Sequence, residues 1–278
     1  MMLSRTLRAR FVVPIFALAG LALGGDVLRP IEFLGASLGH RRHAPINIRD
    51  RHDGSVTSTN WSGYAVTAAK GSVTDVKGSW VVPALQGPCR SSDNDFASFW
   101  VGIDGYNSKT VEQLGTDTDC QRGVPTYYAW IEIFPFPSFL INQVSVSPGD
   151  VITAEVSFSG NRFTLSMTNE TTTETFSASV RGGFARRSSA EWIAEAPSGT
   201  NGTLPLADFG SVFFGADTTG VPNTNGATIG GQSGPIATFG NAVQQITMQT
   251  SHGLPKAVPS SLSPNTSSFS VQWVSAGP

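Results

Sequence analysis

Val151–Thr168 reads VITAEVSFSGNRFTLSMT, two runs of β-branched, aromatic and small residues that meet at Gly160-Asn161. A two-residue Gly-Asn junction between such runs signals a β-hairpin, because both residues tolerate the backbone angles that tight hairpin turns require. Working outward, the same pattern recurs: apolar runs are short and bounded by Gly, Pro, Asn or Ser. It predicts strands at Trp61–Ala68, Val73–Val82, Ser98–Ile103, Thr110–Leu114, Thr126–Phe134, Val151–Ser159 and Arg162–Thr168. Further on it predicts Thr173–Val180, Ala190–Glu195, Gly210–Phe214, Gln244–Gln249 and Ser268–Val274. No segment sustains a helical period. Many short strands separated by turn signals predict an all-β chain folded as a two-sheet antiparallel β-sandwich.

The period of two sorts side chains onto faces. In Thr126–Phe134, Tyr127, Ala129, Ile131 and Ile133 share the side that suits a sandwich core. Tyr128, Trp130, Glu132 and Phe134 share the other, with aromatic walls around a carboxylate. In Ser98–Asp104, Phe99, Val101 and Ile103 point inward, with Trp100 and Asp104 opposite. In Ala190–Glu195, Glu191 and Glu195 share a side, and Trp192 and Ala194 take the other. Three strands offering acids on one face predict an acidic, aromatic cleft.

Composition bounds the rest. Arg5, Arg8 and Arg10 followed by the uncharged run Phe11–Gly25 read as a secretory signal over residues 1–25, too short to span a membrane. Residues 26–55 carry Arg29, Arg41, Arg42, Arg49 and Arg51, with His40, His43 and His52, against four acids. They show no clear period and read as a linker or a basic pro-segment. As a pro-segment, its arginines would dock on an acidic cleft at neutral pH, and acid would release it by neutralising the carboxylates and charging the histidines. Residues 56–278 form one domain. From Gly54 onward ten Lys and Arg face sixteen Asp and Glu, a net charge of about −6 that argues against nucleic acid. Cys89 and Cys120, the only cysteines, are expected to pair in an exported chain. Asn60, Asn169, Asn201 and Asn265 stand in N-x-Ser/Thr patterns.

The segments AWIEIFP (Ala129–Pro135) and AEWIAE (Ala190–Glu195) place carboxyl groups beside tryptophan with no Lys or Arg. Apolar neighbours raise a carboxyl pKa, the property a proton-transferring group needs. Singly, each residue has an ordinary reading. Glu132 and Glu195 would be solvated strand residues, Gln113 an unremarkable polar one, and Asp104 before Gly105 a turn former. Trp61, Trp100 and Trp130 would be core or surface aromatics.

Together, WVGIDG (Trp100–Gly105), QLGTD (Gln113–Asp117), AWIEIFP and AEWIAE, preceded by Asn60-Trp61-Ser62-Gly63, resemble the glutamic peptidases, or eqolisins. The resemblance spans roughly residues 57–278 and is expected to be closer to bacterial than to fungal members. It implies a concanavalin A-like jelly-roll sandwich, an acidic working pH and a removed pro-segment that inhibits the enzyme. It also implies polypeptide substrates, no cofactor, no metal and a monomer that is secreted and binds no membrane after signal removal. On matching positions, Gln113 and Glu195 are the catalytic pair, while Glu191 is not catalytic. Trp61, Trp100, Asp104, Asp117, Trp130, Glu132 and Phe134 line the substrate cleft. Two departures stand out. Phe134 replaces a tyrosine of the family, and Glu112-Gln113-Leu114-Gly115 replaces Leu-Gln-Thr-Gly.

The implied chemistry meets the physical requirements of peptide hydrolysis. Glu195 would activate water and return the proton to the leaving nitrogen, with Asp104 or Glu132 tuning its pKa. Gln113, neutral at any pH, would donate to the oxyanion. A sandwich glycosidase using Glu191 and Glu195 is the rival enzyme, and a lectin-like carbohydrate-binding module the rival without catalysis. Serine and zinc peptidases are disfavoured, because His252 is the only histidine beyond residue 55.

Overall fold

The structure, a computed structural model, describes residues 29–30, 42–52 and 55–277. The predicted signal sequence lies outside the described residues. Six strands build the sheet that carries the site: β1 Trp61–Thr67, β2 Asn94–Ile103, β3 Val111–Gln121, β4 Val124–Phe134, β5 Ser189–Glu195 and β6 Val243–Gln249. They pair antiparallel in the order β6–β1–β5–β2–β3–β4, with Phe139–Ile141 added beyond β4. A second antiparallel layer runs Glu174–Arg181, Arg162–Asn169, Val151–Ser159, Val73–Val81, Ser211–Phe214, Phe269–Trp273 and Pro255–Pro259. Pro255–Pro259 also pairs with β6, so the two layers join along one side into a nearly closed sheet. The predicted hairpin is present, with Ser159 opposite Arg162 and Gly160 at φ 61°.

Alternation decides the packing. Tyr64 and Val66 of β1, Phe99 and Val101 of β2, Ala129 and Ile131 of β4, and Trp192 and Ala194 of β5 pack toward the second layer in the main core. Their odd-numbered or even-numbered neighbours Trp61, Ala65, Trp100, Trp130 and Ile193 form a separate apolar cluster on the opposite face. The two clusters are the two sides of one pleated sheet, as the alternating pattern predicts.

Strand β3 runs further than its sequence suggests. The run Thr116–Asp119 is polar enough to read as loop, yet all eleven residues of Val111–Gln121 are strand. β2 and β4 pair with it on both edges and satisfy its backbone. Its side chains find partners: Trp80 Nε1 donates to Thr116 Oγ1 and Thr118 to the Pro83 carbonyl across the layers, and Tyr128 of the neighbouring β4 donates to Asp119. Buried polar groups are tolerated when paired in this way. At its end Cys120 is bonded to Cys89, with Cα atoms 5.5 Å apart.

The described part of residues 26–55 is not featureless. Ile48–His52 pairs with Ser55–Ser58, which joins β6 in parallel. No alternation marks Ile48–His52, because four of its five side chains are exposed; the edge partner makes the strand. Also absent from the sequence reading are the hairpin Gly226–Ile229/Gln232–Pro235, the strand Pro255–Pro259 and the helix Ala216–Thr219.

Candidate active site

The cleft face is built by register. Glu195 on β5 stands opposite Ser98 on β2, and on β2 Gly102 stands opposite Gln113 on β3. Gln113 in turn faces Glu132 on β4, and Gly115 faces Trp130. Gly102 is needed here, since a Cβ would come within 3.0 Å of both Gln113 Cβ and the Trp100 ring. The Trp100 indole therefore lies along the sheet and donates to Glu195 Oε2 at 2.8 Å. Trp130 likewise donates to Asp117 Oδ1 at 2.8 Å, and Trp61 packs edge-on against Trp100. Trp61, Trp100, Gln113, Asp117, Trp130, Glu132 and Glu195 thus share one face and are all buried. Phe134 packs against the same apolar cluster.

Residues 42–47 cover that face as an extended strap. Arg42 and Ser198 exchange two backbone hydrogen bonds (3.1 and 2.9 Å), and Ile46 N–H donates to the Gly105 carbonyl. The Ala44 carbonyl accepts from Trp61 Nε1 at 3.0 Å and from Asn60 Nδ2 at 3.3 Å. Asn60 also donates to the Pro45 carbonyl and accepts from Asn47 N–H. Between these clamps His43 enters the cleft and is fully buried. Its ring lies flat on Trp130, with centroids 3.5 Å apart and planes 1° from parallel. Glu132 Oε2 accepts from the His43 backbone N–H at 2.8 Å and lies 2.9 Å from Nδ1. Asp117 Oδ1 lies 3.7 Å from Nε2, an ion pair rather than a hydrogen bond. Gln113 Nε2 donates to the His43 carbonyl at 2.6 Å and lies 3.3 Å from Glu132 Oε2.

The electrostatics follow from burial and this one cation. Burial alone would depress the His43 pKa, but the attraction of Asp117 and Glu132 lifts it to about 9. Burial raises Glu132, and its bonds to His43 pull it part of the way back. Glu195 is pushed well above the usual carboxylate range, first by burial. The His43 charge and the Trp100 bond oppose that push, while the charges of Glu132 and Asp117 add to it.

Some expectations change. A histidine enters the cleft, whereas the expected arginine docking is not seen at Arg42, which is exposed. His43 is already charged at neutral pH, so acid acts on its carboxylate partners and not on the imidazole. Asp104 departs from the cleft: its carboxylate accepts from the Arg186, Arg187 and Ser188 amides and the Ser188 hydroxyl, at 2.6–3.0 Å. Burial raises Glu112 and Glu191 and the Asp104 charge adds to that rise, whereas the charges of Glu132 and Asp117 add to the burial of Glu195. Glu191 is buried among Asp104, Glu112 and Ser189, away from the groups around Glu195. The paired carboxylates a glycosidase would use are therefore not brought together. Sequence reasoning gave neither Asn60 nor His43 a place in the cleft: Asn60 stood out only in the NWSG run and its N-x-Ser pattern, and His43 only among the basic residues of 26–55. Among the described residues no three His, Cys, Asp or Glu side chains gather as a metal ion would require.

Comparison with known proteins follows the same lines. Residues 59–268 match the model of the Peptidase A4 family. Aspergillopepsin-2 of Aspergillus niger is 32% identical over 195 residues, which cover 62% of this chain and 67% of that protein. Among solved structures, scytalido-glutamic peptidase with a transition state analog inhibitor has a TM-score of 0.62 at 24% identity, covering 78% of this chain and 98% of that one. Aspergilloglutamic peptidase from Aspergillus niger has a TM-score of 0.54 at 27% identity, covering 65% and 99%.

Proposed function

The chain belongs to the Peptidase A4 family, hydrolases of peptide bonds, and on that premise we propose that it is an exported acid endopeptidase working through Gln113 and Glu195. One observation carries the reading: Gln113 Nε2 donates at 2.6 Å to a peptide carbonyl lying across the cleft. An amide placed there would hold the negative charge that develops on that oxygen during attack. Glu195 is on the same face with β2 between its strand and that of Gln113, level with Asp117 through Ser98, and its Oε2 is held by Trp100. As carboxylate it takes a proton from water while the water oxygen attacks the carbonyl carbon. It then delivers that proton to the departing nitrogen. Asp117, Glu132 and the tryptophan walls would hold the substrate chain.

Acid operation fits this division of labour. Gln113 does not titrate, and a carboxyl group kept above its usual range can return a proton to the leaving nitrogen. The Cys89–Cys120 bond suits an oxidising, extracellular setting. Residues 42–47 would act as the inhibitory part of a pro-segment, since substrate cannot reach Gln113 while they lie there.

The test is turnover of unfolded protein across about pH 3–6, from below the ordinary glutamate pKa into the raised range of buried Glu195. Glu195→Gln and Gln113→Ala, compared with the parent and each freed of residues 1–47, should lose on the order of 10²-fold or more. Activity of either within about tenfold of the parent would overturn the assignment.

A further inference from the structure

Charge is not spread evenly over the molecule. Five of the ten Lys and Arg residues beyond Gly54, namely Lys70, Arg162, Arg181, Arg186 and Arg187, meet at one end of the sandwich. Arg162 stands opposite Arg181 beside the Gly160-Asn161 turn, and Gly182 N–H donates to the Asn161 carbonyl. The Arg186 carbonyl accepts from Gly71 N–H at 2.7 Å and the Arg187 carbonyl from Val73 N–H at 3.1 Å, which brings Lys70 alongside. Among the described residues none of the five forms an ion pair. Asp104 lies beneath the turn, but it is buried and both its oxygens are taken by the turn's amides. Asp75, two positions past Val73, has its pKa raised to about 7, first by burial and then by Glu155, so in acid it does not offset the cluster. In the midst of these cations Phe184 follows Gly182-Gly183 and is 93% exposed.

We propose that this end docks the protein on an anionic phospholipid bilayer, with the Phe184 ring in the interface and the five cations on headgroup phosphates. The proposal is independent of the Gln113–Glu195 reading, and it replaces the expectation of a chain that binds no membrane. An acid medium neutralises carboxylates, so a carboxylate partner would lose its hold on arginine there, whereas phosphodiesters keep their charge. An aromatic ring held out in water among cations has its apolar body placed for the boundary between headgroups and acyl chains, which a dissolved polyanion does not offer. Each Lys or Arg near such a surface adds about fivefold to partitioning, so the cluster suffices for reversible binding. The remaining five cations are set against sixteen acids, so an anionic bilayer attracts this end and repels most of the other surface. Asp104 ties the arginine turn to the end of β2, next to Gly105, which the strap touches at Ile46. Docking therefore sets that end of the cleft beside the lipid.

The exported protein is mixed, in acid and at low salt, with vesicles of phosphatidylcholine alone or with phosphatidylglycerol added, and the bound fraction is read by co-sedimentation. Binding to the anionic vesicles only, weakened by salt, is expected. Lys70→Gln/Arg181→Gln/Arg186→Gln should weaken it on the order of 10²-fold, three residues at about fivefold each. Phe184→Ser should weaken binding to the vesicles severalfold and leave binding to soluble polyphosphate unchanged. Both variants should unfold in urea at the parent's midpoint, since the side chains removed are exposed. Equal binding to both kinds of vesicle, or a triple variant that binds anionic vesicles within about threefold of the parent, would overturn the proposal. So would a Phe184→Ser variant that binds anionic vesicles as the parent does, because the cluster would then be a site for dissolved polyanions.

Discussion

Asp104 and Asp117 show how little a residue type says about its task. Both are acidic, fully buried, and drawn from motifs that look alike in the sequence. Asp117 sits within a strand and reaches the cleft through Trp130 and the His43 ion pair. Asp104 sits just past a strand end at φ 75°, and its oxygens organise the 186–188 turn. The left-handed backbone there suits Asn or Gly, and the three amides need an acceptor. Asp104→Ala is therefore expected to lower unfolding stability by about 3 kcal/mol, and Asp104→Asn by clearly less. Urea denaturation of the two variants would measure this. Equal losses would mean that the carboxylate is not what holds the turn. The placement of Gln113 and Glu195 on the cleft face was legible at this scale, but the separation of Asp104 from the cleft was not. Strand parity predicts a face only while the strand continues, and β2 ends at Ile103.

At the scale of elements, β3 ties site and core together. It presents Gln113 and Asp117 to the cleft, while Thr116 and Thr118 bind partners on the core side. Its far end is fastened by the Cys89–Cys120 bond, whose partners lie 31 residues apart in sequence. Closing a loop of that length restricts the unfolded chain and is worth about 3–4 kcal/mol in the chain-entropy account. The double variant Cys89→Ser/Cys120→Ser should lose roughly 2–4 kcal/mol by urea denaturation, with the cleft geometry kept. A loss below about 0.5 kcal/mol would mean that the unfolded chain is restricted by other means. The polar half of β3 was illegible in sequence because Thr-Asp-Thr-Asp resembles a loop. Central strands satisfy their backbone on both edges, and such side chains become tolerable once partners reach them across the layers.

For the molecule as a whole, the strap links ionisation to access. The groups facing the buried His43 ring are Glu132 and Asp117, with Glu195 near enough for its pKa to feel the imidazole charge. The His43 pKa is raised from 6.5 to about 9, so its contribution to docking is complete below 6.5 and lost as pH rises through about 9. Glu132 is raised as well, first by burial, so its protonation on the acid side does not by itself loosen the strap. Docking should hold at neutral pH and weaken as pH rises through about 9. Amide exchange of residues 42–47 in the Glu195→Gln chain checks this. Protection that does not change with pH would refute it.

The sequence by itself determined the sheet class and the two faces of the cleft strands. These depend on a period of two and on local turn chemistry, both written residue by residue. Two of its glycosylation patterns are removed by the fold, since Asn60 and Asn169 are buried and bonded. Only the tertiary structure decided which acids meet, how far β3 extends, and that residues 42–47 lie in the cleft with the His43 carbonyl against Gln113. Those outcomes depend on contacts between residues far apart in sequence, such as His43 and Glu132, 89 positions apart. No local pattern encodes such a contact, because its free energy exists only once distant strands have brought the partners within hydrogen-bonding distance.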